Sequence, residues 1–196
     1  MEDMLFVQNR MASEADYQNI ILDTPGLMLD LVQVIPGYVY GELYRRDRSP
    51  NEVIAVVKPY SQSMTPELSE VYRQKILTHI EKYRLLNTKV SIVSPVYVGI
   101  DVYGKLVLQI DTKEAREKVQ KRIRELIDYQ GKEKPFGAMI SYGKVFTSLE
   151  AMEEVKLVRE LILEKNGSAA KKNERGDILC QEDALSFVEQ MNIEFC

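Results

Sequence analysis

The sequence predicts an α+β fold made of two small mixed lobes, each a short sheet packed by one long amphipathic helix. Three observations lead there. Apolar residues recur every three or four positions in two long stretches, residues 68–83 and 115–126, which is the spacing of one buried helical stripe. Around them lie alternating or continuous apolar runs bounded by proline and glycine, the mark of strands, and there are more of these than a helical bundle holds. The order of elements (helix, strand, strand, helix, strand, then strand, helix, helix, strand, strand) lacks the regular alternation of a doubly wound sheet. The first lobe is expected over residues 1–94 and the second over 95–196.

In the first lobe Ser13 is an N-cap candidate with Glu14 and Asp16 in the opening turn, and the helix it starts stops at Pro25 and Gly26. Residues 29–35 alternate as a strand that ends at Pro36 and Gly37. Residues 38–51 are too rich in turn formers and charge to be core and make an extended loop, either a long connection or an exposed hairpin tip. The continuous apolar run 53–57 reads as a strand buried on both faces. Thr65, Pro66 and Glu67 then supply a capping hydroxyl, a proline at the first helical position and an acid beside it. A helix of about five turns follows, burying Leu68, Tyr72, Ile76, Ile80 and Tyr83. Residues 88–93 have strand propensity and end before Pro95.

The second lobe opens with Val98, Ile100, Val102, Leu106, Leu108 and Ile110, which keep a period of two across Gly104. One long strand, bulged at Gly104, preserves that alternation; a hairpin at Gly104 and Lys105 is the alternative. Residues 111–114 begin a helix with Ala115, Val119, Ile123 and Leu126 on its apolar face and Glu114–Lys118 and Glu117–Lys121 pairs on its solvated face. A third helix is expected over 142–152, a strand over 155–163, a polar flexible loop over 166–176, a short helix around 184–191 and a terminal strand over 193–195. Residues 16–35 and 144–163 both read as a short helix delivering the chain into a strand, an inexact internal echo that fits two lobes of similar plan.

Composition limits the function. Hydrophobic residues make up 45% and charged residues 29%, which is the balance of a globular chain with a real core. A net charge of -4 gives no global attraction to nucleic acid or anionic lipid. No run reaches the ~18 consecutive apolar residues of a membrane span, and the N-terminal residues do not read as a secretory signal, so synthesis in the cytoplasm is expected.

One histidine and two cysteines leave the chain poor in nucleophiles and metal ligands. Cys180 and Cys196 form no CxxC pair, and His79 falls within a helical stretch, at a helix boundary. Ser141 and Lys144 have the S-x-x-K spacing in which a lysine activates a serine, yet the companion motifs of those enzymes are absent. Gly137 to Lys144 imitates a phosphate loop with the wrong glycine spacing and with Val145 in place of the magnesium-binding hydroxyl. No cofactor is expected.

Read in order, several segments resemble the baseplate J family, wedge proteins of contractile phage tails and related injection systems. The matching segments are ASEADYQNI with TPG at residues 12–26, PNEVIAVVKP at 50–59, LSEVYRQKILTHIEKYRLLNTKVSIVSPVYVGIDV at 68–102, and FGAMISYGKVFTSL with VKLVREL within 136–161. The resemblance implies a noncatalytic structural subunit that links hub, tube and sheath and rearranges when the tail is triggered. Its implied partners are itself and other wedge, hub and sheath-initiating proteins, assembled in a baseplate after synthesis in the bacterial cytoplasm. Family members are longer at the N-terminus, so this chain corresponds to the C-terminal portion; the family pattern carries no catalytic residues.

Within the residues themselves, Tyr38, Tyr40, Tyr44, Arg45, Arg46 and Arg48 make the best protein-contact candidate, because tyrosine and arginine dominate interface hot spots. The same loop also reads as a solvated hairpin tip. Its composition suits single-stranded nucleic acid too, but no basic stripe elsewhere matches it, so no nucleic-acid partner is expected. A small-molecule regulatory module is the alternative function, since tandem α+β lobes often bind ligands. An enzyme built on Ser141 and Lys144 comes third.

Overall fold

The computed structural model of this chain describes residues 11–37 and 51–196 and is α+β, as the sequence predicts. The chain divides into two units, Met1–Pro95 and Val96–Cys196.

In the first unit Ser13 caps α1 (Glu14–Leu22) through a reciprocal capping box: its hydroxyl accepts from the Asp16 N–H, and the Asp16 carboxylate accepts from the Ser13 N–H at 2.8 Å. Strand β1 (Leu29–Pro36) pairs antiparallel with β2 (Glu52–Pro59), which pairs parallel with β3 (Lys89–Val93). The central β2 is buried on both faces. Even Lys58, 2% exposed, lies within it, its ammonium 2.6 Å from Asp30.

Helix α2 (Glu70–Ile80) is shorter than the sequence predicts, because Ser69 rather than Thr65 is the N-cap. The Ser69 hydroxyl takes the Tyr72 N–H, while the Leu68 N–H is drawn away to the Ser94 hydroxyl at 3.0 Å. The predicted stripe still forms the core contact: Leu68, Ile76 and Ile80 are buried with Ile21, Ala55, Val57 and Ile92, and Tyr72 and Tyr83 pack at the edge.

The second unit is built around β4 (Val96–Leu108), one uninterrupted strand across Gly104 rather than a hairpin. It runs between β6 (Val155–Lys165), antiparallel, and β9 (Ala184–Phe195), parallel. The irregularities fall in its neighbours, not at Gly104: β6 and β9 carry the extra residues. Thr112 caps α3 (Lys113–Ile127), whose Ala115, Val119, Ile123 and Ile127 stripe is buried against Val98, Ile100, Val102 and Leu106. On the solvated face Lys118 bonds Glu154 at 2.6 Å, while the charge of the predicted partner Glu114 acts on it as well.

Helix α4 (Tyr142–Glu150) follows β5 (Met139–Ile140) and adds Val145 and Leu149 to the same core. Two corrections concern the C-terminal third. Within 166–176, expected as a flexible loop, Ala170–Lys172 forms β7, which pairs with β8 (Ile178–Cys180) across a turn in which the Asn173 carboxamide oxygen accepts from the Arg175 and Asp177 N–H groups. Strands β5, β8 and β7 make a second small sheet. The helix expected around 184–191 is instead the first part of β9.

Candidate interaction surfaces

Tyr38, Tyr40, Tyr44, Arg45, Arg46 and Arg48 lie outside the described residues. The two ends of their segment are fixed: Pro36 stands opposite Val53 in the β1–β2 ladder, and the Gly37 N–H donates to the Glu52 carbonyl at 2.8 Å.

Ser141 and Lys144 do not form a serine–amine couple. Ser141 is the N-cap of α4, and its hydroxyl accepts the Lys144 backbone N–H at 3.4 Å. Both residues border a hollow of about 210 Å³ shared with Glu125, Lys132 and Met139. The Lys132 ammonium donates to the Ile127 carbonyl at 2.8 Å, and burial holds its pKa below the ordinary lysine range. His79 stands in the last turn of α2, edge-on to Tyr83, beside an open groove bordered by Thr24, Pro25, Val71 and Lys75. Burial and the neighbouring Lys82 push its pKa down. Among the described residues no cluster of three or more His, Cys, Asp or Glu is arranged to hold a metal ion, and no helix is long and apolar enough to cross a membrane.

Two features of the second unit were not singled out in the sequence. On the β4 face away from the helices, the Asn166 amide donates to Asp101 at 3.1 Å and to Glu189 at 2.7 Å, tying the end of β6 to the bulge in β9. Asp101 is 9% exposed, and its second carboxylate oxygen has no hydrogen-bond partner. A carboxylate inside the period-two run GIDV was the available signal, since polar residues at such positions are seldom idle. On the same face Tyr103 stands opposite the exposed Ile162, and Val107 opposite the exposed Leu157, an apolar stripe interrupted by the Lys105–Glu160 pair of positions.

The second feature is the outer edge of β9. Its first part is sealed: the Gly137 N–H donates to the Ala184 carbonyl at 3.0 Å, the Tyr129 N–H to the Ser186 carbonyl at 2.8 Å, and the Val188 N–H to the Asp128 carboxylate at 2.7 Å. Beyond Glu189 no such bond reaches this edge from the other described residues. The core-side residues Met191, Ile193 and Phe195 are only partly buried, in contrast to Ala184, Ser186 and Val188 before them.

No protein-family model matches the sequence, and no curated protein matches it. Among solved structures the chain is similar to a chain in the cryo-EM structure of the anti-feeding prophage (AFP) baseplate, 6-fold symmetrised, with a TM-score of 0.61 over 95% of this chain at 11% identity. This chain spans 38% of that one. At that identity the likeness establishes the fold: it is that of part of a baseplate protein.

Proposed function

We propose that the chain is a noncatalytic structural subunit of a contractile phage tail or prophage-type injection-system baseplate, making the wedge contacts that link hub, tube and sheath. The observation that carries the reading is the fold likeness to a baseplate chain along nearly the whole length of this one. The order and spacing of the segments quoted above supply separate support. The local chemistry is compatible with it, because Ser141, the best nucleophile candidate, spends its hydroxyl on capping a helix. Wedge assembly needs surfaces for sister and partner subunits rather than a reactive pocket.

Co-expression with the products of neighbouring tail genes, followed by sizing and mass analysis, tests the reading. The expected result is a complex holding this chain and at least one other tail component. A chain that elutes free of every tail product in all pairings overturns it. Within such a complex, Tyr44→Ala and Arg46→Ala are each expected to cost about 2 kcal/mol, roughly 30-fold in affinity, if their segment is the contact.

A further inference from the structure

We infer that the open edge of β9 is a docking edge for a second copy of this chain, paired antiparallel about a two-fold axis at Ile193. The inference rests on strand geometry and needs no baseplate. At the C-terminus the Cys196 N–H donates to the Leu106 carbonyl at 3.0 Å, and the Leu108 N–H donates to the Cys196 carbonyl at 3.3 Å. Cys196 therefore turns both backbone groups toward β4. In a strand paired parallel on one side, alternate residues turn their N–H and C=O to opposite edges. The ladder from Asp101↔Gln190 to Leu106↔Phe195 is free of irregularity. Gln190, Asn192 and Glu194 thus address β4, and Met191, Ile193 and Phe195 address the open edge. Among the described residues no backbone hydrogen bond reaches those three from outside the ladder.

An uncovered strand edge is a template for another strand. What fits this one is set by its side chains. With the axis at Ile193, all three outward-facing residues are used: Met191 meets the second copy's Phe195, Ile193 meets its own counterpart, and Phe195 meets Met191. Each is a partly buried apolar residue packed on the core side, so the pairing covers surface that the single chain leaves half exposed. On the other face Asn192 comes opposite the second copy's Glu194, which is held at home by Lys105 at 3.0 Å, and no two acids face each other. Moving the axis two residues towards Met191 sets Ile193 opposite the Glu189 bulge, so hydrogen-bonded pairs are lost on that side. The product is one continuous sheet of six strands, with β9 and its copy at the centre.

The test uses the full chain alone. Sedimentation over a concentration series is expected to give twice the 22.6 kDa chain mass, with the Met191, Ile193 and Phe195 amides exchanging more than about tenfold more slowly in the dimer than on dilution. Ile193→Pro removes an N–H that no bond among the described residues uses, and is expected to abolish the dimer while leaving the circular dichroism spectrum unchanged. Asn192→Glu sets like charges across the axis twice and is expected to weaken the dimer about fivefold, whereas Asn192→Lys strengthens it. A monomer at every concentration overturns the inference, as does a dimer in which those three amides stay fast or that is indifferent to the charge at position 192. A dimer of this kind that enters no tail complex would leave the inference standing and remove the proposed function, so the two can fail separately.

Discussion

Asp128, 8% exposed, closes α3 in an extended conformation, and its carboxylate accepts the Val188 N–H that would otherwise be orphaned at the β9 edge. Burial raises its pKa; the Val188 N–H, Arg124 and Lys132 oppose the rise without cancelling it. An acid whose folded pKa exceeds its unfolded one takes up a proton on folding. Its favourable contribution is therefore complete below the unfolded carboxylate range and is lost as pH rises through the folded pKa. Asp128→Asn keeps an oxygen for Val188 and removes the buried charge. It is expected to be more stable than the parent to urea at pH 7, the difference vanishing in acid. Asp128→Ala leaves the N–H without a partner and should cost about 1–3 kcal/mol at either pH. An Asp128→Asn chain clearly weaker than the parent at pH 7 would mean that Arg124 and Lys132 hold the ion favourably.

Helix α3 was legible because its signal is local: Ala115, Val119 and Ile123 recur every four residues, and the structure buries the same stripe with Ile127 added to it. Strand β9 was misread for a reason equally physical. A regular strand alternates, but the extra residue Glu189 shifts the phase, so the core-side positions run 184, 186, 188 and then 191. Ala184, Val188 and Met191 thus acquire the i, i+4, i+7 spacing of a helix. The short pair β7 and β8 was missed because three-residue strands carry too little periodicity to register, and the candidate site suffered likewise: which edge stays open follows from register, a non-local property. The bulge also makes a prediction. A Cβ on Gly99 would fall 2.0 Å from the Glu189 carboxylate, which lies over that glycine and accepts from Asn166. Gly99→Ala should cost about 1 kcal/mol by displacing Glu189 from Asn166. In a Glu189→Ala background the same change should be neutral or stabilising, since alanine outdoes glycine in a strand. Additive effects in the double-mutant cycle would show that the carboxylate does not constrain Gly99.

At the scale of the whole chain, the two units share one sheet plan reached in different chain order. A central strand, β2 or β4, has an antiparallel neighbour on one side and a parallel neighbour on the other. In the first unit the antiparallel strand precedes the centre; in the second, both neighbours follow it. The weak internal echo of a short helix feeding a strand is the local trace of that plan, in α1 with β1 and α4 with β6. The chain order around the centre was not legible, because pairing partners far apart in sequence leave no periodicity. Among the described residues the two core clusters share none: one is drawn from Met11 to Ile92, the other from Val98 to Phe195. Burial of apolar area within each core is the main term opposing chain entropy, and the described core residues of each unit come from that unit. Residues 96–196 expressed alone should therefore fold, with a strand-rich circular dichroism spectrum, dispersed amide resonances and one cooperative urea transition, and Ile123→Ala should lower the stability of that piece by about 2–5 kcal/mol. A broad, uncooperative transition from the isolated piece would mean that its core is completed from residues 1–95 and that the units are not folding domains.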